Sequence, residues 1–271
     1  MSNRSSRPEE TGEFFQITLS SYGVNIGLRA ELRDDLSLFE RFLPFGCKRS
    51  KVKKLDRIYS VFKDTRGKFR LYAGARKINE SYKIEDVSLG FQSHAQLFIA
   101  AHTNQKAFIH AGVVAVGAQA ILIPGRSYAG KTTLVAEFIK AGAVYYSDEY
   151  AVLDRMGRAH PYPKPLSLRD SATGKQRDIA AEKLGARTGV NPLPVGVILI
   201  TKYKNGAKWE AKEADSAAAI KALTMNSVSI RRTPESTLRS IARAISGALV
   251  FKSDRGDARY LVKDVMSNFH E

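Results

Sequence analysis

Apolar positions along this chain follow two periods, and where one gives way to the other sets out the expected elements. Between residues 14 and 100, alternating or short apolar runs at 15–19, 24–28, 57–62 and 69–73 are separated by glycine or charged turns, the pattern of half-buried strands. A helix is expected over 32–43. Phe91, Ala95, Leu97, Phe98 and Ala101 recur at near-helical spacing and predict another over 88–103. Two apolar runs follow, 108–116 and 119–124, joined by Gly117-Ala118 as in a hairpin. Leu134, Val135, Phe138 and Ile139 then return to the helical period, with Gly142 as the stop. Strands are expected at 144–146, 150–153 and 195–202, and helices at 216–223 and 234–246, with Pro234 suited to a first turn. The stretch His160-Pro161-Tyr162-Pro163-Lys164-Pro165 is too stiff for helix. No repeat, heptad or low-complexity segment interrupts this order, which predicts a flexible tail at 1–13, a β-rich region at 14–103 and a mixed α/β domain at 104–271.

One segment carries distinctive chemistry. Residues 125–133, Gly125-Arg126-Ser127-Tyr128-Ala129-Gly130-Lys131-Thr132-Thr133, satisfy G-x-x-x-x-G-K-[ST] between a predicted strand and a predicted helix. Backbone N–H groups can wrap a triphosphate only where glycine removes the Cβ, so Gly125 and Gly130 supply the bends. Lys131 suits the β- and γ-phosphates, Thr132 suits the accompanying magnesium ion, and the helix start adds positive potential. All nine residues are thus expected to bind nucleotide.

Two acids, Asp148 and Glu149, end the next short strand, 17 and 18 residues beyond Lys131. An acid at such a strand end holds magnesium, and a second can accept a hydroxyl proton; the spacing leaves open which does which. His110 falls on the strand beside the one feeding the loop, a position that suits either a core side chain or a catalyst. His94 and His102 are eight apart, not the four of a metal-binding helix face. Gly125-Arg126-Ser127-Tyr128 lacks the G-x-S-x-G spacing of a serine hydrolase.

Composition narrows the setting. The chain has 271 residues, 44% hydrophobic and 26% charged, enough for a large core. Its longest apolar stretch, 111–124, falls short of the roughly 20 residues of a membrane span. Residues 1–13 lack the apolar centre of a signal peptide. A single cysteine, Cys47, cannot form an internal disulfide and suits a reducing cytoplasm. The net charge of +16 attracts anionic partners in general. Its densest run, Lys48-Arg49-Ser50-Lys51-Val52-Lys53-Lys54 and then Arg57, has no interleaved aromatics for stacking on bases, which argues against nucleic acid and leaves a solvated edge or a docking patch.

The run from His110 through the glycine loop to Asp148-Glu149 resembles the HPr kinase/phosphorylase family, within the wider fold shared with ATP-dependent phosphoenolpyruvate carboxykinases. In that family a histidine precedes the loop lysine by the same offset and an Asp-Asp pair follows where Asp148-Glu149 stands. The string from His160 to Leu168 is similar to one in kinase-like members that accompany peptide-modification systems, lasso peptides included. The resemblance covers about residues 105–205. It implies a mixed-sheet α/β kinase domain using ATP and Mg²⁺, with Lys131 and the loop on ATP, Thr132 and Asp148 on magnesium, Glu149 as base and His110 at the transferred phosphoryl. The acceptor it implies is a serine hydroxyl on a small protein or peptide. Glutamate in place of the second aspartate is a departure, as is the missing glycine-flanked glutamate, for which Asp170 beside Arg169 is a substitute candidate; reverse phosphorolysis is not expected. One of Arg231, Arg232 and Arg239 is a candidate for stabilising the phosphoryl oxygens. A small-molecule alcohol kinase, and a module that binds nucleotide without transferring phosphoryl, are the alternatives.

Overall fold

The computed structural model describes residues 13–125, 130–169 and 176–268. Two compact units divide the chain, Met1–Thr103 and Asn104–Glu271.

The first unit is a six-stranded sheet under helices. Its elements are β1 (Phe15–Ser21), β2 (Val24–Ala30), α1 (Arg33–Phe39) running into a 3₁₀ turn (Glu40–Phe42), β3 (Lys48–Arg49), β4 (Arg57–Lys63), β5 (Phe69–Ala73), β6 (Arg76–Ser81) and α2 (Ile84–His102). The strand order is β3-β1-β2-β4-β5-β6, with only β2 and β4 parallel. Val87, Phe91, Ala95 and Ile99 of α2 bury against Leu19, Ile26, Leu28, Tyr59 and Leu71 of the sheet. Phe91 anchors this core between the rings of Tyr59 (5.1 Å) and Phe39 (5.8 Å), both edge-on. The helix begins four residues before the expected start because Ile84 and Val87 are buried and Glu85-Asp86 suit a first turn. Strand β6 escaped the periodicity reading because its sequence, Arg-Lys-Ile-Asn-Glu-Ser, is that of a largely solvated edge.

The second unit is a three-layer α/β arrangement on a mixed sheet. Strands β7 (Ala107–Val116) and β8 (Gln119–Pro124) form the expected hairpin, turning at Gly117 with φ +55°. After the glycine loop come α3 (Lys131–Lys140), β9 (Val144–Ser147), β10 (Tyr150–Leu153) and β11 (Ala159–His160). A small hairpin follows, β12 (Leu166–Arg169) with β13 (Gln176–Ile179), then β14 (Val195–Tyr203), α4 (Ser216–Met225), α5 (Pro234–Ile245), β15 (Leu249–Arg255) and α6 (Ala258–Asn268). The sheet order is β11-β10-β7-β8-β14-β15, with β9 also on β7; β8, β14 and β15 are parallel and the rest antiparallel.

Alternation along the strands sends side chains to two separate cores. Val114, Val116, Ile121, Ile123, Val197 and Leu199 meet α3 and α6 on one face. Ile109, Ala111, Val113, Leu122 and Ile198 meet α4 and α5 on the other. By this parity Gly112 belongs to the α3 face, where a Cβ on it would lie 2.6 Å from Cγ2 of Val135. The glycine thus lets α3 sit down on the sheet. No helix among the described residues is long and apolar enough to cross a membrane.

Gly112→Ala should therefore prise α3 from the sheet and cost about 1–3 kcal/mol, read as a lowered midpoint in urea denaturation; an unchanged midpoint would mean that α3 is not seated through this contact.

Candidate functional site

The site forms around one irregularity in the edge pairing of β7. The backbone of His110 faces two separate segments on one side. Its carbonyl accepts from Gly125 N (3.1 Å), where the β8 chain leaves the sheet, and its N–H donates to Asn226 O (2.8 Å), where the chain after α4 enters. Ser227 then bridges to Ile109 and Val228 N donates to Phe108 O. One strand line is thus made of two pieces, and the glycine loop departs from the gap between them. Parallel strands β8, β14 and β15 all end on this side of the sheet, the place where open α/β sheets form crevices.

Of the nine loop residues, Arg126, Ser127, Tyr128 and Ala129 lie outside the described residues. Gly125 and Gly130 mark the two ends. Gly130 is in the left-handed region (φ +79°) and caps α3 without a side-chain cap, and no acid occupies the first turn. Lys131, Thr132 and Thr133 therefore open a helix whose positive end is not neutralised by its own sequence.

On the other side of β7, Asp148 and Glu149 interrupt what is otherwise one strand. Ser147 pairs with Val113 and Tyr150 with His110, so β9 and β10 stay in register across the interruption, and Ala111 N donates to Glu149 O (3.3 Å). Regular alternation would send the two carboxyls to opposite faces. The chain bends at both residues instead, and both carboxylates act on Lys131, opposing the burial that lowers its pKa.

Asp148 is the more buried of the pair. Burial raises its carboxyl to about 6, against the lowering effects of the Thr132 hydroxyl, Lys131 and the Ser167 N–H, and with a small further rise from Glu149. The Thr132 hydroxyl and the Ser167 N–H lie near enough to favour its charged form, yet its Oδ1 is buried with no hydrogen-bond partner among the described residues. An orphaned carboxylate oxygen beside a threonine hydroxyl is a donor set for a hard cation. Among the described residues no group of three or more His, Cys, Asp or Glu could hold a metal, so a cation here would need ligand or water oxygens to complete its shell.

Glu149 is held from the strap that follows β11. Lys164 Nζ donates to Glu149 Oε2 (2.6 Å). The strap is stiffened by Pro161, Pro163 and Pro165, and its backbone is tied at both ends: Tyr162 N donates to Tyr146 O (2.8 Å) and the Tyr145 hydroxyl to Lys164 O (2.5 Å). Burial pushes the Tyr145 phenol well above its usual range, so it stays a donor. The Tyr162 ring packs edge-on against Phe108 and Tyr150, and Tyr150 lies 4.8 Å from the His110 ring. His110, Lys131, Thr132, Asp148 and Glu149, far apart in sequence, thus share one locality.

Among the described residues, Arg255 at the end of β15 reaches the end of the loop: its Nη2 donates to Gly130 O (2.7 Å) while Nη1 donates to Gly256 O (3.2 Å). Arg239, expected as a candidate, is paired with Glu235 on α5 (2.7 Å), and Arg231 and Arg232 are exposed in the turn before that helix. Asp170 lies outside the described residues. Arg255 gave no sequence signal because β15, Leu-Val-Phe-Lys-Ser-Asp-Arg, loses its apolar pattern halfway. Lys164 and Ser167 lay within a string already singled out, but only the chain's return past β9 brings them to the acids.

Comparison with known proteins finds no family model that matches the chain and no curated sequence significantly similar to it.

The raised carboxyl makes a signed prediction. The folded protein holds the Asp148 proton more tightly than the unfolded chain, whose value is near 3.8. This contribution to stability is complete below about pH 4 and is lost as pH rises through about 6. In chelator and without nucleotide, Asp148→Asn should exceed wild type by on the order of 3 kcal/mol at pH 8, with the difference gone near pH 4. Urea titrations at the two pH values check it, and a variant no more stable at pH 8 would contradict it.

Proposed function

We propose that this chain is an ATP- and magnesium-dependent kinase of the HPr kinase type, transferring the γ-phosphoryl of ATP to a serine hydroxyl on a small protein or peptide in a reducing cytoplasm. The observation that carries the proposal is the meeting of Thr132, Lys131 and Asp148 at an uncapped helix start, with Asp148 Oδ1 lacking a partner among the described residues. The residues present suit a magnesium–triphosphate pair: Thr132 and Asp148 would hold the ion, and Lys131 with the first-turn N–H groups would hold the phosphates. Magnesium would supply neutralisation of charge on the β- and γ-phosphate oxygens.

The chain's own groups would do the rest. Lys131 orients the γ-phosphoryl. Glu149, turned toward the same place and fixed by Lys164, takes the proton as the acceptor oxygen forms its bond to phosphorus and the bond from phosphorus to the bridging oxygen of ADP breaks. Asp148 is already engaged by Thr132 and Ser167, which favours Glu149 as the base. His110 would face the transferred group from the floor of the site. The net charge of +16 favours an acidic acceptor, a lasso-type precursor peptide among the candidates. A small-molecule alcohol as acceptor, or nucleotide binding without transfer, are the outcomes that would replace this function.

Labelled ATP, magnesium and acidic serine-containing peptides should give transfer that falls by about 10²-fold or more in Lys131→Ala; undiminished transfer in that variant rejects the proposal. Lys164→Met should lower kcat by about 10- to 100-fold by letting Glu149 stray and leave KM for ATP nearly unchanged, with Lys164→Arg restoring most of the rate. A rise in KM with constant kcat would instead make Lys164 a binding residue.

A further inference from the structure

A cavity opens beside the start of α3, at the ends of β14 and β15. It has a volume of about 350 Å³ and is lined by Gly130, Thr133, Glu137, Tyr203, Arg255 and the turn 256–259. We propose that it receives the aromatic base and ribose of the nucleotide whose phosphates the loop holds, an inference that rests on the ATP-binding function proposed above.

Strand order gives the ligand its direction. The acids stand on β9 and β10, one strand to one side of the β7–β8 pair, while Tyr203 and Arg255 end the neighbouring strands β14 and β15 on the other side, paired in register. A ligand whose terminal phosphoryl lies at Asp148 and whose next phosphates lie over the start of α3 must run toward β14 and β15. There the cavity begins at Gly130 and Thr133, at the C-terminal end of the glycine motif where α3 starts. The size suits a nucleoside, since small-ligand cavities start at about 300 Å³.

The lining has the groups that a nucleoside uses. Tyr203 is 53% exposed and offers its ring to the cavity. Arg259 is fixed as a flat plate by Asp257, its Nε lying 3.1 and 3.0 Å from Oδ1 and Oδ2 and its Nη2 2.5 Å from Oδ2. A tyrosine ring and a guanidinium plane are both stacking surfaces for an aromatic base. Glu137, one helical turn beyond Thr133, is a carboxylate acceptor for ribose hydroxyls. Arg255 makes the wall: it is 2% exposed, it ties Gly130 to the end of β15, and a Cβ at Gly130 would lie 2.6 Å from its Nη2. Cavity and loop therefore share a rigid edge.

Calorimetry at about 0.15 M salt, a level that screens the basic surface, separates the two levels of inference by comparing Mg-ATP with Mg-tripolyphosphate. Wild type should bind ATP at least about tenfold more tightly than tripolyphosphate, and Tyr203→Ala should weaken ATP by about tenfold with tripolyphosphate unaffected. Glu137→Trp, which fills the cavity from its α3 wall, should bring ATP down to the affinity of tripolyphosphate. Unchanged ATP affinity in both variants overturns the nucleoside assignment. Should tripolyphosphate bind equally to wild type and to Lys131→Ala, the phosphate-loop function itself fails, whatever the cavity does.

Discussion

Asp148 is kept where a charge is hard to keep, and the local architecture follows from that constraint. A carboxylate moved out of water must be repaid by partners, and here they come from three directions: the Thr132 hydroxyl and Lys131 at the start of α3, and the Ser167 N–H from β12. They do not suffice, since its carboxyl still stands at about 6 and Oδ1 is orphaned. Such incomplete compensation leaves a buried acceptor that the described residues do not satisfy, a cost that an ordinary structural carboxylate avoids. Each supporting feature bears on it: the glycine at 112 that seats α3, the bend that turns the acid pair, the tied strap that crosses above.

The sheet contributes direction. An antiparallel hairpin delivers the chain to the glycine loop, and α3 then carries it over β7, so that the loop-feeding β8 and the strand leading to the acids flank β7 on its two sides. On the loop's other flank the parallel strands β14 and β15 end at the same level and set Tyr203 beside Arg255. The result is a site with distinct ends, acidic on one flank and arginine-walled on the other, built from segments that start at residue 107 and finish at residue 259.

The two arginine and lysine ties differ in kind. Arg255 is buried and spends its guanidinium on backbone carbonyls, which makes it a brace for Gly130. Lys164 is a half-exposed point charge on a carboxylate, delivered by a proline-stiffened strap. A basic chain thus uses one cation to hold the frame and another to hold a partly exposed acid. Much of the remaining positive charge is solvated, including Lys51, Lys53 and Lys54 after β3.

Local chemistry was legible in the sequence where it is local in space. Strands β7 and β8, the glycine loop's flanking elements, the helix start at Lys131 and the short strands around Asp148-Glu149 follow from period, glycine placement and apolar runs, because backbone hydrogen bonding and one-sided burial act over a few residues. Strands β6 and β15 were not, since solvated edges carry no apolar signal. Neither were Ser167, Lys164, Asn226 and Arg255 as members of the site, for they arrive through pairings that span from about 15 to 125 residues. Such partners are chosen by which strand lies beside which, a collective result of packing two cores on one sheet. Residue type and spacing decided that a phosphate-like ligand was worth expecting; only the folded chain decided that both acids come within electrostatic reach of Lys131, because strand alternation alone would have parted them.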